Sequence, residues 1–250
     1  ALNETEAERY RELGVADEKI AIVPNGIDLA EYPSLPDRGR FRAAWGIDDA
    51  AKVVLYLGRL DPTKGIDLLI RSFAVVAREF DDAVLVLVGG DMGHNEEFRQ
   101  RVGSLGLDDR VIFTGFVSKE EKVAAYTDAD VFVTPSFTGF PVTFLEACLC
   151  GAPIGTTGKA DLLGWIDKVV GFNTEYTPEA LADAIGRLLA DDALRARFSE
   201  QARELVRTRY NWKAIVSDIE TFYSKVAGSA GGGTPVVISK EAAPKTPDTF

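Results

Sequence analysis

The segment Val53–Gly65, VVLYLGRLDPTKG, limits what this chain can fold into more than any other. Val53, Val54, Leu55, Tyr56 and Leu57 form a short apolar run, of the kind buried on both faces of a parallel sheet. Gly58 permits a sharp backbone turn. Arg59 and Lys64 then stand at the strand's carboxyl edge, where a helix starting near Lys64 would direct its unpaired N–H groups. Two cations beside a helix N-terminus suit a polyanion such as a diphosphate. The same residues also fit a solvated turn.

Apolar runs and helical patterns alternate on both sides of this segment. Strands are predicted at Ile20–Val23, Val53–Leu57, Val84–Val88, Val111–Phe113, Val131–Thr134, Pro153–Thr156 and Val169–Gly171. Helices are predicted near Gly65–Phe80, Glu96–Leu105, Lys119–Thr127, Val142–Cys150 and Leu162–Asp167. Ser118 with Glu120 and Glu121 makes a helix entry. Ile66, Leu69, Ile70, Phe73 and Val76 recur at helical spacing and are assigned to the core. Such alternation predicts an α/β fold with a doubly wound parallel sheet and ligands at the strands' carboxyl ends. From Thr177 the chain turns helical, with one helix opened by Pro178, a second over Leu194–Arg209 and a third from Asn211-Trp212 to about Lys225.

A second segment, Val131–Gly155, repeats the theme of strand, glycine turn and helix. Pro141 suits a first helical turn, where its missing N–H costs nothing, and Gly139 allows close approach of backbone to a ligand. Glu146 follows one turn into an otherwise apolar helix, and a carboxylate among Phe144, Leu145, Ala147 and Leu149 needs a partner if buried. It reads either as a ligand-facing acceptor or as one residue on an exposed stripe.

Taken together, these pieces resemble the C-terminal, donor-binding half of retaining glycosyltransferases of family 4 (glycosyl transferases group 1), which have the GT-B fold. Five landmarks run in order: Pro24-Asn25-Gly26-Ile27-Asp28; Gly58-Arg59-Leu60 with Lys64-Gly65; Val88-Gly89-Gly90; Phe113-Thr114-Gly115-Phe116-Val117; and Pro135-Ser136 through Glu146-Ala147 to Gly151-Ala152-Pro153-Ile154. The likeness extends from about Ile20 to Tyr223 and implies a Rossmann-like half of a GT-B fold.

The resemblance also implies roles. Arg59 and Lys64 would hold the donor diphosphate and stabilise the charge released as the sugar–phosphate bond breaks. Main-chain groups at Gly58, Gly90, Gly139, Phe140, Pro141 and Val142 would line that cradle, Phe116 and Val117 would hold the base, and Glu146 would accept from the two ribose hydroxyls. One departure stands out. The family usually carries a second carboxylate eight residues before Glu146, where this chain has Thr138 in a loop one residue shorter. Thr138 keeps a hydroxyl near the transferred sugar but cannot stabilise a developing cationic sugar as a carboxylate would.

With 250 residues the chain can bury a core, and its net charge of −11 argues against a nucleic-acid or anionic-membrane surface. A nucleotide sugar is still compatible, because local cations decide that contact. No run reaches the roughly 18 apolar residues that span a bilayer. Cys148 and Cys150 are read as small buried residues in a reducing, cytoplasmic compartment, and His94 has no partner for metal or triad chemistry. No metal or other cofactor is expected. Residues 1–19 are expected to be a linker helix from a missing N-terminal acceptor domain, 20–227 the nucleotide-sugar-binding domain, and 228–250 a flexible tail. Any peripheral association with the inner face of a membrane would come through the missing half, and little transfer is expected from this half alone. A GT-B-type sugar-nucleotide epimerase and a non-catalytic binding module remain as alternatives. A dinucleotide dehydrogenase is excluded by the absence of G-x-G-x-x-G after a first strand.

Overall fold

In the computed structural model, residues 1–137, 139–158 and 165–228 are described, the last four for their backbone only. Six strands form one parallel sheet: β1 (Lys52–Leu57), β2 (Ala83–Val88), β3 (Val111–Gly115), β4 (Val131–Thr134), β5 (Ile154–Thr157) and β6 (Gly171–Thr174). Their order is β3-β2-β1-β4-β5-β6. The winding therefore reverses between β1 and β4, and a doubly wound sheet opens its ligand crevice at such a reversal. The doubly wound α/β architecture expected from the alternation is the one observed.

Nine helices accompany the strands among the described residues: α1 (Glu4–Glu12), α2 (Arg40–Trp45), α3 (Ile66–Glu79), α4 (Asn95–Ser104), α5 (Lys119–Asp128), α6 (Val142–Cys150), α7 (Pro178–Ala190), α8 (Asp192–Thr208) and α9 (Trp212–Gly228). Successive residues of β1 feed two cores, as a strand covered on both faces requires. Val53 and Leu55 pack with residues of α5 and α6, while Val54 and Tyr56 pack with α3 and α7. The α3 stripe Ile66, Leu69, Ile70, Phe73 and Val76 is buried throughout, each side chain contributing about 1.5–3 kcal/mol by leaving water. Ser118 closes a full capping box with Glu121 at the start of α5.

Three expectations are corrected. Ile20–Val23 does not join the sheet; its polar backbone pairs instead with the chain's first residue, through Val23 N–H to the Ala1 carbonyl at 2.8 Å and the Ala1 amine to the Ala21 carbonyl at 2.9 Å. The last strand begins at Gly171 rather than Val169, because residues 165–170 form turns with Lys168 in the left-handed region at φ 60°. The start of the helix expected at Leu162–Asp167 lies outside the described residues, and its remainder is in those turns. The expected tail lies outside them from residue 229.

Helix α2 was not anticipated from the sequence. Its first N–H groups find a distant acceptor in the Asp128 carboxylate, reached by Gly39, Phe41 and Arg42 at 2.5, 2.8 and 3.0 Å. The buried Arg42 guanidinium returns the contact, donating to the Asp128 carbonyl at 3.1 Å, to Asp130 Oδ2 at 3.1 Å and to the Ala51 carbonyl at 2.6 Å. This network ties α2 to the end of α5 and the start of β4.

Candidate functional site

At the sheet's carboxyl edge three glycine turns crowd together. A Cβ on Gly89 would stand 1.7 Å from the Gly58 carbonyl oxygen, so only glycine lets the β1 and β2 exits meet. The Leu60 N–H donates to the Gly90 carbonyl at 3.3 Å, and the Gly89 N–H to the Gly115 carbonyl at 3.0 Å. A Cβ on Gly90 would lie 2.2 Å from the Phe116 ring. Phe116 thus rests over the β2 exit while remaining 89% exposed, and Val117 is half-buried beside it.

Arg59 is exposed and Lys64 half-buried. Neither forms a salt bridge with a carboxylate among the described residues. Lys64 closes a 3-10 turn over Pro62–Lys64, and α3 starts at Ile66, after Gly65. Burial pushes the Tyr56 hydroxyl up, keeping it a donor to the Arg59 carbonyl at 2.8 Å. A Cβ on Gly65 would meet Pro135 at 2.9 Å, so this turn lies against the loop that follows β4.

That second loop is pinned from the chain's beginning. Asn3 Nδ2 donates to the Gly139 carbonyl at 3.1 Å, and Asn25 Nδ2 to the Phe140 carbonyl at 2.7 Å. The Phe140 side chain is an anchor rather than a ligand contact, buried against Trp165 and Tyr210 with ring centroids 5.9 and 5.3 Å away. Pro141 precedes α6, and Val142 opens its first turn with 42% exposure. The Phe144 N–H of that turn donates to the Pro141 carbonyl at 3.2 Å, while those of Val142 and Thr143 have no helical acceptor. Thr138 lies outside the described residues.

Glu146 sits one turn past Val142 on the same face of α6. It is buried, which discards the exposed-stripe reading. Its Oε1 accepts from Lys122 Nζ at 2.6 Å and the Tyr32 hydroxyl at 2.8 Å, and its Oε2 from the Tyr126 hydroxyl at 3.2 Å. Burial, with the adjoining carboxylate, pushes both tyrosine hydroxyls up, so each stays protonated as a donor. Sequence reasoning missed Tyr32, Lys122 and Tyr126. The only local signal is the four-residue spacing that puts Lys122 and Tyr126 on one face of α5.

Asp91 accepts from the N–H groups of Gly93, His94 and Asn95 at 2.7, 3.0 and 3.1 Å at the approach to α4. These backbone donors hold its carboxyl below the usual range. His94 takes the N-cap position without a side-chain capping bond. Cys148 and Cys150 are free and buried, and burial pushes the Cys150 thiol up to about 12. No group of three metal-binding side chains gathers among the described residues, and none of their helices is long and apolar enough to cross a membrane.

The sheet order and the glycine-built edge define a doubly wound α/β domain, with Arg59 and Lys64 on the turn that leaves β1 at its switch point. The chain belongs to the glycosyl transferases group 1 family, whose model matches residues 37–205. It is 34% identical over 213 residues to the phosphatidyl-myo-inositol mannosyltransferase of Mycobacterium leprae, covering 83% of this chain and 54% of that protein. The chain thus spans about half the length of the curated relatives it matches. Sucrose-phosphate synthase from Thermosynechococcus elongatus superposes with a TM-score of 0.74 at 28% identity, over 90% of this chain and 57% of that one. The Anabaena protein HepE, solved with UDP, superposes with a TM-score of 0.80 at 23% identity over 90% and 63%, a likeness of fold. The glycosyltransferase resemblance and its Rossmann-like GT-B architecture are borne out.

Proposed function

We propose that this chain is the donor-binding half of a retaining glycosyltransferase that takes its sugar from a nucleoside-diphosphate sugar. The observation that carries the reading is the pair Arg59 and Lys64, unneutralised by salt bridges among the described residues, on the β1 turn that lies against the loop leading into α6. A diphosphate placed there would meet both cations and the N–H groups of Val142 and Thr143 at the start of α6. Their charge would stabilise the departing diphosphate as the bond to the sugar breaks. Phe116 and Val117 would flank the base, and Glu146 the ribose. No metal is needed in this scheme, since side-chain cations supply the counter-charge. The acceptor, whether lipid, glycan or small molecule, would be held by a second, N-terminal half, so transfer by this chain alone would be weak. The retained stereochemistry comes from the family resemblance.

A second reading, a non-catalytic nucleotide-sugar module, draws on Thr138, which stands where the family carries a carboxylate. Both readings require donor binding. Titration calorimetry with UDP, GDP and ADP on the native chain and on Arg59→Ala/Lys64→Ala tests it. Loss of the heat in the double variant is expected; the same heat from both proteins rejects the site. Transfer regained when an N-terminal half is supplied would separate the two readings.

A further inference from the structure

Tyr56 is the last residue of β1 that faces the core shared with α3 and α7. It is 1% exposed and packed among apolar side chains, where a plain hydrocarbon ring would fill the same space. Its hydroxyl reaches past the end of the strand. A Cβ on Gly58 would lie 2.8 Å from that oxygen. A buried phenol needs a partner for its polar tip. Here the partner is the Arg59 carbonyl, the main chain of a residue assigned above to the diphosphate.

The Arg59–Leu60 peptide is held at both ends. Its carbonyl accepts from the Tyr56 hydroxyl at 2.8 Å and from the Asp61 N–H at 3.0 Å, and its N–H donates to the Gly90 carbonyl at 3.3 Å. Both lone pairs of the carbonyl and the one proton of the amide are thus engaged. Leu60 is fully buried while Arg59 is exposed, so this one peptide plane sets the direction in which the Arg59 side chain leaves the turn. Lys64 is fixed by other bonds. The Asp61 carboxylate accepts from the Thr63 N–H at 2.8 Å, and the Lys64 N–H donates to the Asp61 carbonyl at 2.9 Å. Tyr56 supplies neither.

We infer that Tyr56 is a positioning residue of the donor site. Its hydroxyl clamps the Arg59–Leu60 peptide and so aims the Arg59 guanidinium at the diphosphate, and it has no such hold on Lys64. The phenol itself touches no ligand; it acts through Arg59 alone. This inference rests on the proposed nucleoside-diphosphate site and deepens it.

The test is calorimetry on the 250-residue chain with UDP or GDP, whichever binds more tightly. Tyr56→Phe keeps the ring and removes the hydroxyl alone. It should bind the nucleotide about fivefold more weakly, the effect of one hydrogen bond. A softened fold would also weaken binding, so the deciding measurement is a double-mutant cycle. In Arg59→Ala the clamp has nothing left to aim, and adding Tyr56→Phe should cost less than about twofold further. In Lys64→Ala the same addition should still cost about fivefold. Where these weak complexes give too little heat, the rise in thermal midpoint at millimolar nucleotide reports the affinity. Equal losses in the two backgrounds would mean a phenol that acts through the fold at large and would overturn the inference. So would a Tyr56→Phe chain with native affinity, and so would one that does not fold, which would place the hydroxyl in the framework. Those outcomes leave the diphosphate site standing provided Arg59→Ala/Lys64→Ala still abolishes binding. A double variant that binds like the native chain defeats the site itself.

Discussion

Asn25 and Phe140, 115 residues apart, are joined by a 2.7 Å hydrogen bond from the Asn25 amide to the Phe140 carbonyl. With Asn3 on the Gly139 carbonyl, it turns two consecutive oxygens of the post-β4 loop toward the chain's N-terminal segment. Asn25→Ala should therefore loosen the diphosphate cradle more than the fold. About 1 kcal/mol is expected for one such bond, read as a roughly fivefold rise in Kd for a nucleoside diphosphate. The Kd of the corresponding monophosphate, which makes less use of the cradle, should change less, and parallel changes in both would contradict this role.

Removing Arg59 or Lys64 should cost affinity and little stability. Neither takes part in a salt bridge among the described residues, and substitutions at such positions usually stay within about 0.5 kcal/mol in folding free energy. Each charge-assisted contact to a diphosphate is worth about 1.5–3 kcal/mol, so either single alanine variant should weaken binding by at least tenfold. Urea midpoints together with calorimetry separate the two effects. A variant that unfolds early would place the residue in the framework instead.

Gly89 has the narrowest tolerance at the edge. An added Cβ would fall 1.7 Å from the Gly58 oxygen, and backbone rather than a flexible side chain would have to yield. Gly89→Ala should lose at least about 1–3 kcal/mol and weaken nucleotide binding with it. A variant with native midpoint and native affinity would contradict the close approach of the two turns.

Breaking the Arg42–Asp128–Asp130 network should be among the most damaging single changes in the chain. Asp130→Ala takes the carboxylate partner from the buried Arg42 guanidinium and the acceptor from the Val53 N–H, and leaves both in the interior with fewer partners. Removing one member of a buried charged network costs about 3–5 kcal/mol. Chemical denaturation measures it, and a loss under about 1 kcal/mol would show that α2 contributes little.

Alkaline pH should unfold the protein through its buried thiols and phenols. Burial raises the hydroxyls of Tyr56 and Tyr126 and the thiols of Cys148 and Cys150. A group raised in the folded state gives stability that is complete below its unfolded value and is lost as pH climbs toward the folded one. For Cys150 that window runs from 9.0 to about 12. Urea midpoints should be insensitive to these groups below pH 9 and fall steadily above it. A flat profile through pH 11 would refute the assignment. Under native conditions near pH 8, both cysteines should resist thiol reagents until the chain unfolds.

Much of the scaffold could be read from the sequence because β1, β2 and β4 are short apolar runs covered on both faces, and no alternating surface pattern competes with that reading. The ligand edge could be read as well, since Gly58-Arg59 and Pro135-Ser136 close two such runs at their carboxyl ends, whereas the reversal between β1 and β4 could not. What escaped notice depended on distant partners. Helix α2 is only Arg40–Trp45 and carries a buried arginine, and its acceptor Asp128 lies 86 residues from Arg42. Ile20–Val23 has a strand's composition but meets the chain terminus instead of a sheet edge. Glu146 was singled out for its apolar neighbours, yet its three donors come from 114, 24 and 20 residues away, and no local spacing reveals that pairing.

The ring cluster of Phe140, Trp165 and Tyr210 carries a mechanical implication. Tyr210 directly precedes Asn211, which bridges to Ile27 just before α9 begins at Trp212. The start of α9 is thus tied to the post-β4 loop twice, through the Tyr210–Phe140 ring contact and through Ile27, whose neighbour-but-one Asn25 holds the Phe140 carbonyl, so that a shift of that helix start would be felt in the loop.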